Sequence, residues 1–488
     1  MLARLGRAAS IAVFVALAAP ALAAADETAK PCRMVAAGLQ QQLRTLANHG
    51  RFSGELRVSA PGTETDDTFG SARAGAIYKV GSVTKLFTAT SLLLLAQANR
   101  LDLQAPLARF FPEIDAAQLA SKGQPVRLAH LLSHTSGLDL ELPSGRELPP
   151  ERIVSALARA TFHAPPGTSF AYSNGGYLVL GQVLRRVTGS SFEVVVRNAI
   201  TTPLALPDTG IVPSGEQRQR MSPGQVGSLI GLHPAGATFP DLLHGTYDWS
   251  EGSSGAIFST AKDLARFLEA VFAGSLLDAR SRALLTSEAS PGFAHGIALE
   301  TAGSPAEPIY WHNGILSPMG YQAVVMYCPR ESLATVVLAS VDETVIDLTQ
   351  VFRTAIKGTP TDAAKIPPTG FTFERFLVTL RVLHVGPIAA GLGYLIVLWF
   401  STRKRWNAST SLVAGSAALL LTAAGFSFSD FGLQLKACLV AAALSAALFW
   451  RGRRRSESRA PASRASLILS GNACLVALYL VLLNRPSA

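Results

Sequence analysis

Two kinds of hydrophobic pattern divide this chain. As far as about residue 358 apolar positions alternate with polar ones at helical or strand spacing, whereas beyond it they run together in blocks. Met34, Val35, Leu39, Leu43 and Leu46 recur at helical spacing and predict a helix over 30–48; the alternation over 52–58 predicts a strand. The acidic, glycine-containing segment 61–75 reads as a loop or hairpin tip. Residues 77–80 lead into a helix that starts at Ser82 and carries the apolar run 86–98. Further helices are predicted over 178–187 and, started by Thr260 and Asp263, over 261–272. Strands are expected to end at 310–315 and to pair over 321–327 and 334–340, joined by a turn at 328–332. Residues 212–250 lack periodicity and read as the irregular surroundings of an active site.

Both ends of the chain carry export and membrane patterns. Arg4 and Arg7, the apolar stretch 8–25 and the small residues Ala21 and Ala23 form a secretory signal peptide, residues 1–25. A Pro-rich linker at 359–375 precedes a transmembrane region, 376–488, with four apolar stretches: 382–400, 411–428, 431–450 and 465–483. Each is long enough to cross a hydrocarbon core of about 30 Å. Arg403, Lys404 and Arg405, and the six arginines of 451–464, fall in loops that the positive-inside rule places in the cytoplasm. Arg381 and Lys436 lie at outer span ends and can snorkel. Signal peptide and loop charges agree, so the domain at 26–358 is expected on the periplasmic side of a bacterial inner membrane, with lipid as the partner of the helices.

The net charge of +10 invites a nucleic-acid reading, but its distribution excludes one. Residues 26–370 hold 28 basic against 30 acidic side chains, and residues 371–488 hold 13 against 3. Basicity thus sits where it orients membrane spans, not on a binding face. Four cysteines are too few for a disulfide scaffold. Cys438 and Cys474 lie in apolar runs as packing residues, while an exported compartment allows Cys32 and Cys328 either to pair or to remain free.

The candidate chemistry begins at Gly81-Ser82-Val83-Thr84-Lys85. A serine and a lysine three apart on a helix share a face, with Cβ atoms about 5–6 Å apart, so the amine reaches the hydroxyl. Gly81 lets the backbone turn into the helix, and the first free N–H groups at Ser82 can face an oxyanion. A serine hydroxyl is a weak nucleophile until a base takes its proton. Alone, Ser-x-x-Lys means an N-capping serine and a surface lysine; its weight comes from two motifs farther along the chain. The polar loop 165–177 places Tyr172 and Asn174 two apart, able to act as proton shuttle or base and as a substrate amide donor. The strand end His312-Asn313-Gly314-Ile315 can supply the N–H of Ile315 as a second oxyanion donor, with His312 pointing at substrate. His130 and His134 are four apart, but the glutamate of a zinc helix is missing and no third ligand is suggested. They read as helix-end and turn packing; no metal or cofactor is expected.

Ser82-x-x-Lys85, Tyr172-Ser173-Asn174 and His312-Asn313-Gly314, in this order, resemble the serine β-lactamase and penicillin-binding fold, specifically the class C β-lactamase-related family, over about 32–355. His130-Leu131-Leu132-Ser133-His134-Thr135-Ser136-Gly137-Leu138, the segments 166–174 and 203–206, and the segment 259–264 resemble further landmarks of that family. The resemblance implies an α/β (α+β) domain, an antiparallel sheet flanked by helices plus a helical lobe, with the serine at their junction. It implies that Ser82 is acylated, that Lys85 and Tyr172 share the proton transfers, and that Asn174 positions substrate. The N–H groups of Ser82 and Ile315 would form the oxyanion hole, and water would release the acyl group. Where the β-lactamases usually have Lys-Thr-Gly, this chain has His312-Asn313-Gly314, a form seen in the family's esterases, amidases and D-amino-acid peptidases; a permanent cation is replaced by a group mostly neutral near pH 7. Signal peptide, hydrolase domain and C-terminal helices in this order are also similar to membrane-bound prodrug-activating peptidases, but Lys79 stands where those enzymes tend to have an acidic residue, so their specificity is not carried over. The expectation is a membrane-anchored periplasmic serine hydrolase acting on a peptide, amide or ester, with a small molecule or peptide as partner. The alternatives are a β-lactamase or D,D-carboxypeptidase, or a non-hydrolytic sensor or scaffold binding cell-wall fragments.

Overall fold

The structure, a computed structural model, describes residues 32–140, 149–228, 231–234, 252–301, 308–316, 319–343 and 345–358. The expected signal peptide, linker and four spans, with Arg381 and Lys436, lie outside these residues. Among the described residues no helix is long and apolar enough to cross a membrane.

The scaffold is a six-stranded antiparallel sheet built from both ends of the domain. Strands β1 (Gly54–Ala60) and β2 (Thr63–Phe69) come from the start, and β3 (Ala298–Thr301), β4 (Pro308–Leu316), β5 (Tyr321–Cys328) and β6 (Leu333–Ala339) from the end. Their order is β3-β4-β5-β6-β1-β2. β1 and β6 close the two halves together, Gly54 opposite Ala339 and Ser59 opposite Ala334. β5 and β6 are buried throughout, as central strands covered on both faces must be.

One face of the sheet carries the first helix, α1 (Cys32–Asn48), and the last of the domain, α6 (Leu348–Lys357). Val35, Leu39, Leu43 and Leu46 pack with Val351, Phe352 and Ala355 against Leu56, Val324, Met326 and Val337. Cys32 and Cys328 form a disulfide that ties the start of α1 to the end of β5 across 296 residues. A cross-link over so long a loop typically contributes about 2–4 kcal/mol. Glu331 accepts the N–H groups of Cys32 at 2.6 Å and Arg33 at 3.2 Å, satisfying two open donors of the helix start.

The opposite face carries the helical lobe and the helix of the candidate nucleophile. α2 (Thr84–Gln97) follows a 3₁₀ turn at Gly81–Val83, while α3 (Leu128–Leu132) and α4 (Asn174–Thr188) lie in the lobe. α5 (Ala261–Phe272) starts at Thr260, whose side chain accepts the N–H of Asp263, as the sequence predicts. α2 is buried on nearly every side: Leu86, Phe87, Ala89, Leu92 and Leu93 are all inaccessible, and Phe87 stacks on Phe267 of α5 with centroids 3.8 Å apart. A helix apolar all round belongs inside the core, which makes α2 a rigid support for what stands at its N-terminus.

Two segments differ from the sequence reading. The stretch 61–75 is a hairpin tip only at 61–62, between Ala60 and Thr63; Thr63–Phe69 is the edge strand β2, and its exposed Glu64 and Asp66 each lie 2.6 Å from the buried Arg57 of β1. Charge on an edge strand discourages pairing with another chain, and here it also neutralises an inward-facing guanidinium. Of 212–250, the described residues 212–228 and 231–234 hold a short helix at Gly215–Arg220 and a hairpin of Gln225–Ser228 with Gly231–Pro234 where irregular chain is expected, and the rest of that expectation lies outside the described residues. The helix starts in a capping box between Ser214 and Gln217, a pattern of S-x-x-Q type that its composition obscures.

Candidate active site

Gly81–Val83 places Ser82 between α2 and the end of β4. Gly81 has φ +52, and a Cβ there would lie 3.0 Å from the nitrogen of Ile315. A Cβ on Gly314 would lie 1.9 Å from the carbonyl oxygen of Val80 and 3.1 Å from the nitrogen of Ser82. Both glycines are therefore required for the strand edge and the nucleophile turn to meet. Pairing of β4 with β3 ends at Trp311, and β4 continues along β5 to Leu316. The main chains of Ser82 and Ile315 are thereby held side by side, as two N–H donors to one oxyanion must be.

One turn into α2, Lys85 is fully buried and its Nζ donates three ways: to Ser82 Oγ at 3.1 Å, Asn174 Oδ1 at 2.8 Å and the Ser254 carbonyl at 2.8 Å. Two of these contacts fix the amine, and the third position faces the nucleophile. A neutral amine in this position can accept a proton from the serine hydroxyl through its lone pair, and an ammonium can stabilise a developing serine oxyanion. Its Nζ lies 4.9 Å from the Tyr172 ring centroid and 5.5 Å from that of Tyr177. Asn174 is the first residue of α4, behind the Ser173 cap whose hydroxyl accepts the N–H of Gly176. Lys85 and Asn174 thus come from two helix starts that converge.

The third acceptor, Ser254, belongs to a short turn at Gly252–Gly255 that α2 itself holds. Thr84 Oγ1 accepts the N–H of Ile257 at 3.1 Å, and Thr88 Oγ1, one turn on, donates to the Ser253 carbonyl at 2.6 Å. Gly181 of α4 makes room for this turn, because a Cβ there would lie 2.2 Å from Ser253 Oγ. The sequence offers no warning of this role: a main-chain carbonyl leaves no mark in residue type.

His312 is on the inner face of β4 and buried. Its Nδ1 lies 2.6 Å from the carbonyl oxygen of Asn313. A carbonyl only accepts, so Nδ1 carries the hydrogen and Nε2 carries a lone pair. Burial, reinforced by the positive charge of Lys85 and opposed by that hydrogen bond, pushes the ring down to about 4. It is neutral at physiological pH and supplies no cation for a substrate carboxylate. Asn313 corrects the sequence reading. Side chains alternate across a strand, and Asn313 turns to the outer face with Trp311, where its Nδ2 donates to Thr349 Oγ1 of α6 at 2.9 Å. It contributes its carbonyl to His312 and no side chain to the site.

His134, read in the sequence as packing, lies inside this site. Its ring centroid is 4.4 Å from that of Tyr172, 5.1 Å from Tyr177 and 5.1 Å from Phe293. Burial, reinforced by the positive charge of Lys85, holds it well below its ordinary value. Phe170, 43% exposed, and Phe293 stand 5.3 Å apart and form an aromatic wall beside His134. His130 caps α3 through Nδ1, which accepts the Arg127 N–H at 3.2 Å, as helix-end packing predicts.

The comparisons with known proteins agree with this geometry. Residues 34–352 match the family model described as Beta-lactamase. Penicillin-binding protein 4 of Amycolatopsis lactamdurans is 30% identical over 54% of this chain and 72% of its own length. Esterase EstB of Burkholderia gladioli is 28% identical over 59% of this chain and 81% of its own. Among solved structures, D-amino acid amidase from Ochrobactrum anthropi SV3 superposes with a TM-score of 0.53 at 23% identity, covering 67% of this chain and 99% of its own, a likeness of fold. A serine turn pressed on a strand edge, a buried lysine bound to serine and asparagine, and a family match over residues 34–352 converge on one assignment: the chain belongs to the β-lactamase family of serine hydrolases.

Proposed function

We propose that the chain hydrolyses a peptide, amide or ester through an acyl-enzyme on Ser82, and that it does so outside the cytoplasm, tethered by its C-terminal helices. The observation that carries the chemistry is the contact of Lys85 Nζ with Ser82 Oγ at 3.1 Å while Asn174 and Ser254 hold the amine in place. In the proposed first half-reaction the Ser82 proton passes to the coupled Lys85–Tyr172 pair as Oγ bonds to the scissile carbonyl carbon. The oxyanion rests between the N–H groups of Ser82 and Ile315, and each such donor is typically worth about 3–4 kcal/mol in the transition state. The proton then goes to the leaving nitrogen or oxygen as its bond to carbon breaks. Water, losing a proton to the same pair, attacks the ester of Ser82, whose Oγ leaves and regains its hydrogen.

Neutral His312 points to substrates that do not require a cation for a carboxylate, and the name of one relative, an esterase, supports that reading. The name of another, a penicillin-binding protein, supports the alternative of penicillin acylation. Comparing acylation by a neutral activated ester with acylation by a penicillin reporter separates them. The ester is expected to react about 100-fold faster in kcat/KM, a difference of about 2.7 kcal/mol. His312→Lys, which restores a cation, is expected to narrow the ratio about 10-fold. Complete labelling of the wild-type protein by low micromolar penicillin within minutes would favour the penicillin-binding alternative.

The tether rests on the apolar stretches and arginine-rich loops of 376–488 together with the N-terminal signal pattern. The full chain is expected to stay in the membrane fraction after alkaline carbonate extraction, with the Ser82 domain cleaved by protease added to spheroplasts. Release by carbonate, or protection from that protease, would contradict it.

A further inference from the structure

Tyr172 is 47% exposed, so core packing does not fix its outer side. Its two neighbours in the chain, however, are bound to one and the same residue. Ala171 donates its N–H to the carbonyl oxygen of His134 at 2.8 Å, and Ser173 donates its N–H to His134 Nδ1 at 3.0 Å. The His134 ring then lies against the Tyr172 ring, centroids 4.4 Å apart and tilted by 31°.

This double grip depends on an unusual backbone. His134 has φ +57, in the left-handed region that most side chains avoid, and there its carbonyl and its ring can both face the tyrosine loop. The turn is held on both sides: His134 donates its N–H to the Leu131 carbonyl at 3.3 Å, Thr135 its own to the His130 carbonyl at 2.8 Å, and the Thr135 carbonyl accepts Gly167 at 2.7 Å. At Gly137, φ +69, a Cβ would lie 2.0 Å from the Ala164 carbonyl oxygen, so the segment after His134 is pressed on the chain that leads to Tyr172. Because a main-chain N–H can only donate, Nδ1 is the acceptor and the ring is neutral with its hydrogen on Nε2. Nδ1 is thereby occupied and takes no proton from the reaction.

We propose that His134 is a positioning residue for the reaction: by binding the main chain on both sides of Tyr172 it sets the phenol against Lys85 and Ser82. The proposal rests on the Ser82 hydrolase reading and adds to it the residue through which Tyr172 is held.

Glycine and asparagine both adopt left-handed backbone, so His134→Gly and His134→Asn differ mainly in the acceptor, which the asparagine Oδ1 can return near the place of Nδ1. Measured on the full solubilised chain with an activated ester, His134→Gly is expected to lower the acylation rate constant about 30-fold while KM changes less than about 3-fold, and His134→Asn to recover it to within about 3-fold of wild type; 30-fold corresponds to about 2 kcal/mol. In a Tyr172→Phe background, His134→Gly is expected to cost less than about 2-fold more, because its effect runs through the phenol. If Tyr172→Phe slows acylation but the two losses multiply, or if Asn restores nothing, the positioning role is overturned and the hydrolase reading stands. If Tyr172→Phe leaves acylation unchanged, the role assigned to Tyr172 fails, and the positioning role with it.

Discussion

Ser82→Ala is expected to lower kcat by about four orders of magnitude or more on any ester or amide the wild-type protein turns over. The loss is that large because no covalent intermediate can form, leaving only the oxyanion donors and substrate binding to assist direct attack by water. KM should move little, since alanine removes one atom and leaves both N–H donors in place. Ser82 is partly exposed at the end of a buried helix, and its side chain caps no N–H of that helix. The thermal midpoint should therefore stay within a few degrees of wild type, and kinetics set beside a melting curve would check both statements. A fall in activity that tracked a fall in melting temperature would mean that Ser82 is structural.

Lys85→Met is expected to lower kcat/KM by at least about 10³-fold, about 4 kcal/mol, without rescue at high pH. The substitution keeps most of the side-chain volume in a site with no exposed surface, so it tests chemistry more than packing. It removes the group that contacts Ser82 and leaves the Asn174 amide oxygen and the Ser254 carbonyl without the donor that now joins them. Reaction with a fluorophosphonate, which needs an activated Ser82 but no substrate recognition, should fall in parallel. If fluorophosphonate labelling persisted at the wild-type rate while substrate turnover disappeared, Lys85 would serve binding or deacylation in place of nucleophile activation.

How much of this arrangement is legible in the sequence depends on how each residue acts. Ser82 and Lys85 act through side chains three apart on one helix, and helical geometry carries that spacing directly into the 3.1 Å contact. Asn174, read in the sequence as a substrate amide donor, instead accepts Lys85 Nζ at 2.8 Å from the start of a helix that begins four residues earlier than apolar periodicity alone indicates. The side chain of Asn313 is misplaced by the sequence reading because β4 is covered on both faces. Tyr310, Trp311 and His312 are all buried, so the hydrophobic pattern does not alternate and does not reveal which parity faces the serine. Ser254 and His134 escape detection for a different reason. Their bonds involve main-chain groups far along the chain, a carbonyl for Lys85 and two N–H groups beside Tyr172, and such partners carry no residue signature. The edge strand β2 is hidden by its acidic composition, which makes sense only once Arg57 of the neighbouring strand is paired with it.

The most direct test of the central claim is the intact mass of the solubilised full chain, wild type and Ser82→Ala, after exposure to a fluorophosphonate and to a panel of N-acyl-amino-acid esters and amides, with the modified peptide then sequenced. Acyl-enzyme chemistry at Ser82 predicts a single stoichiometric phosphonyl adduct on that residue, a transient acyl adduct on the same residue with at least one substrate, and neither on the alanine variant. Folded wild-type protein that is never modified, or is modified at a residue other than Ser82, would contradict it.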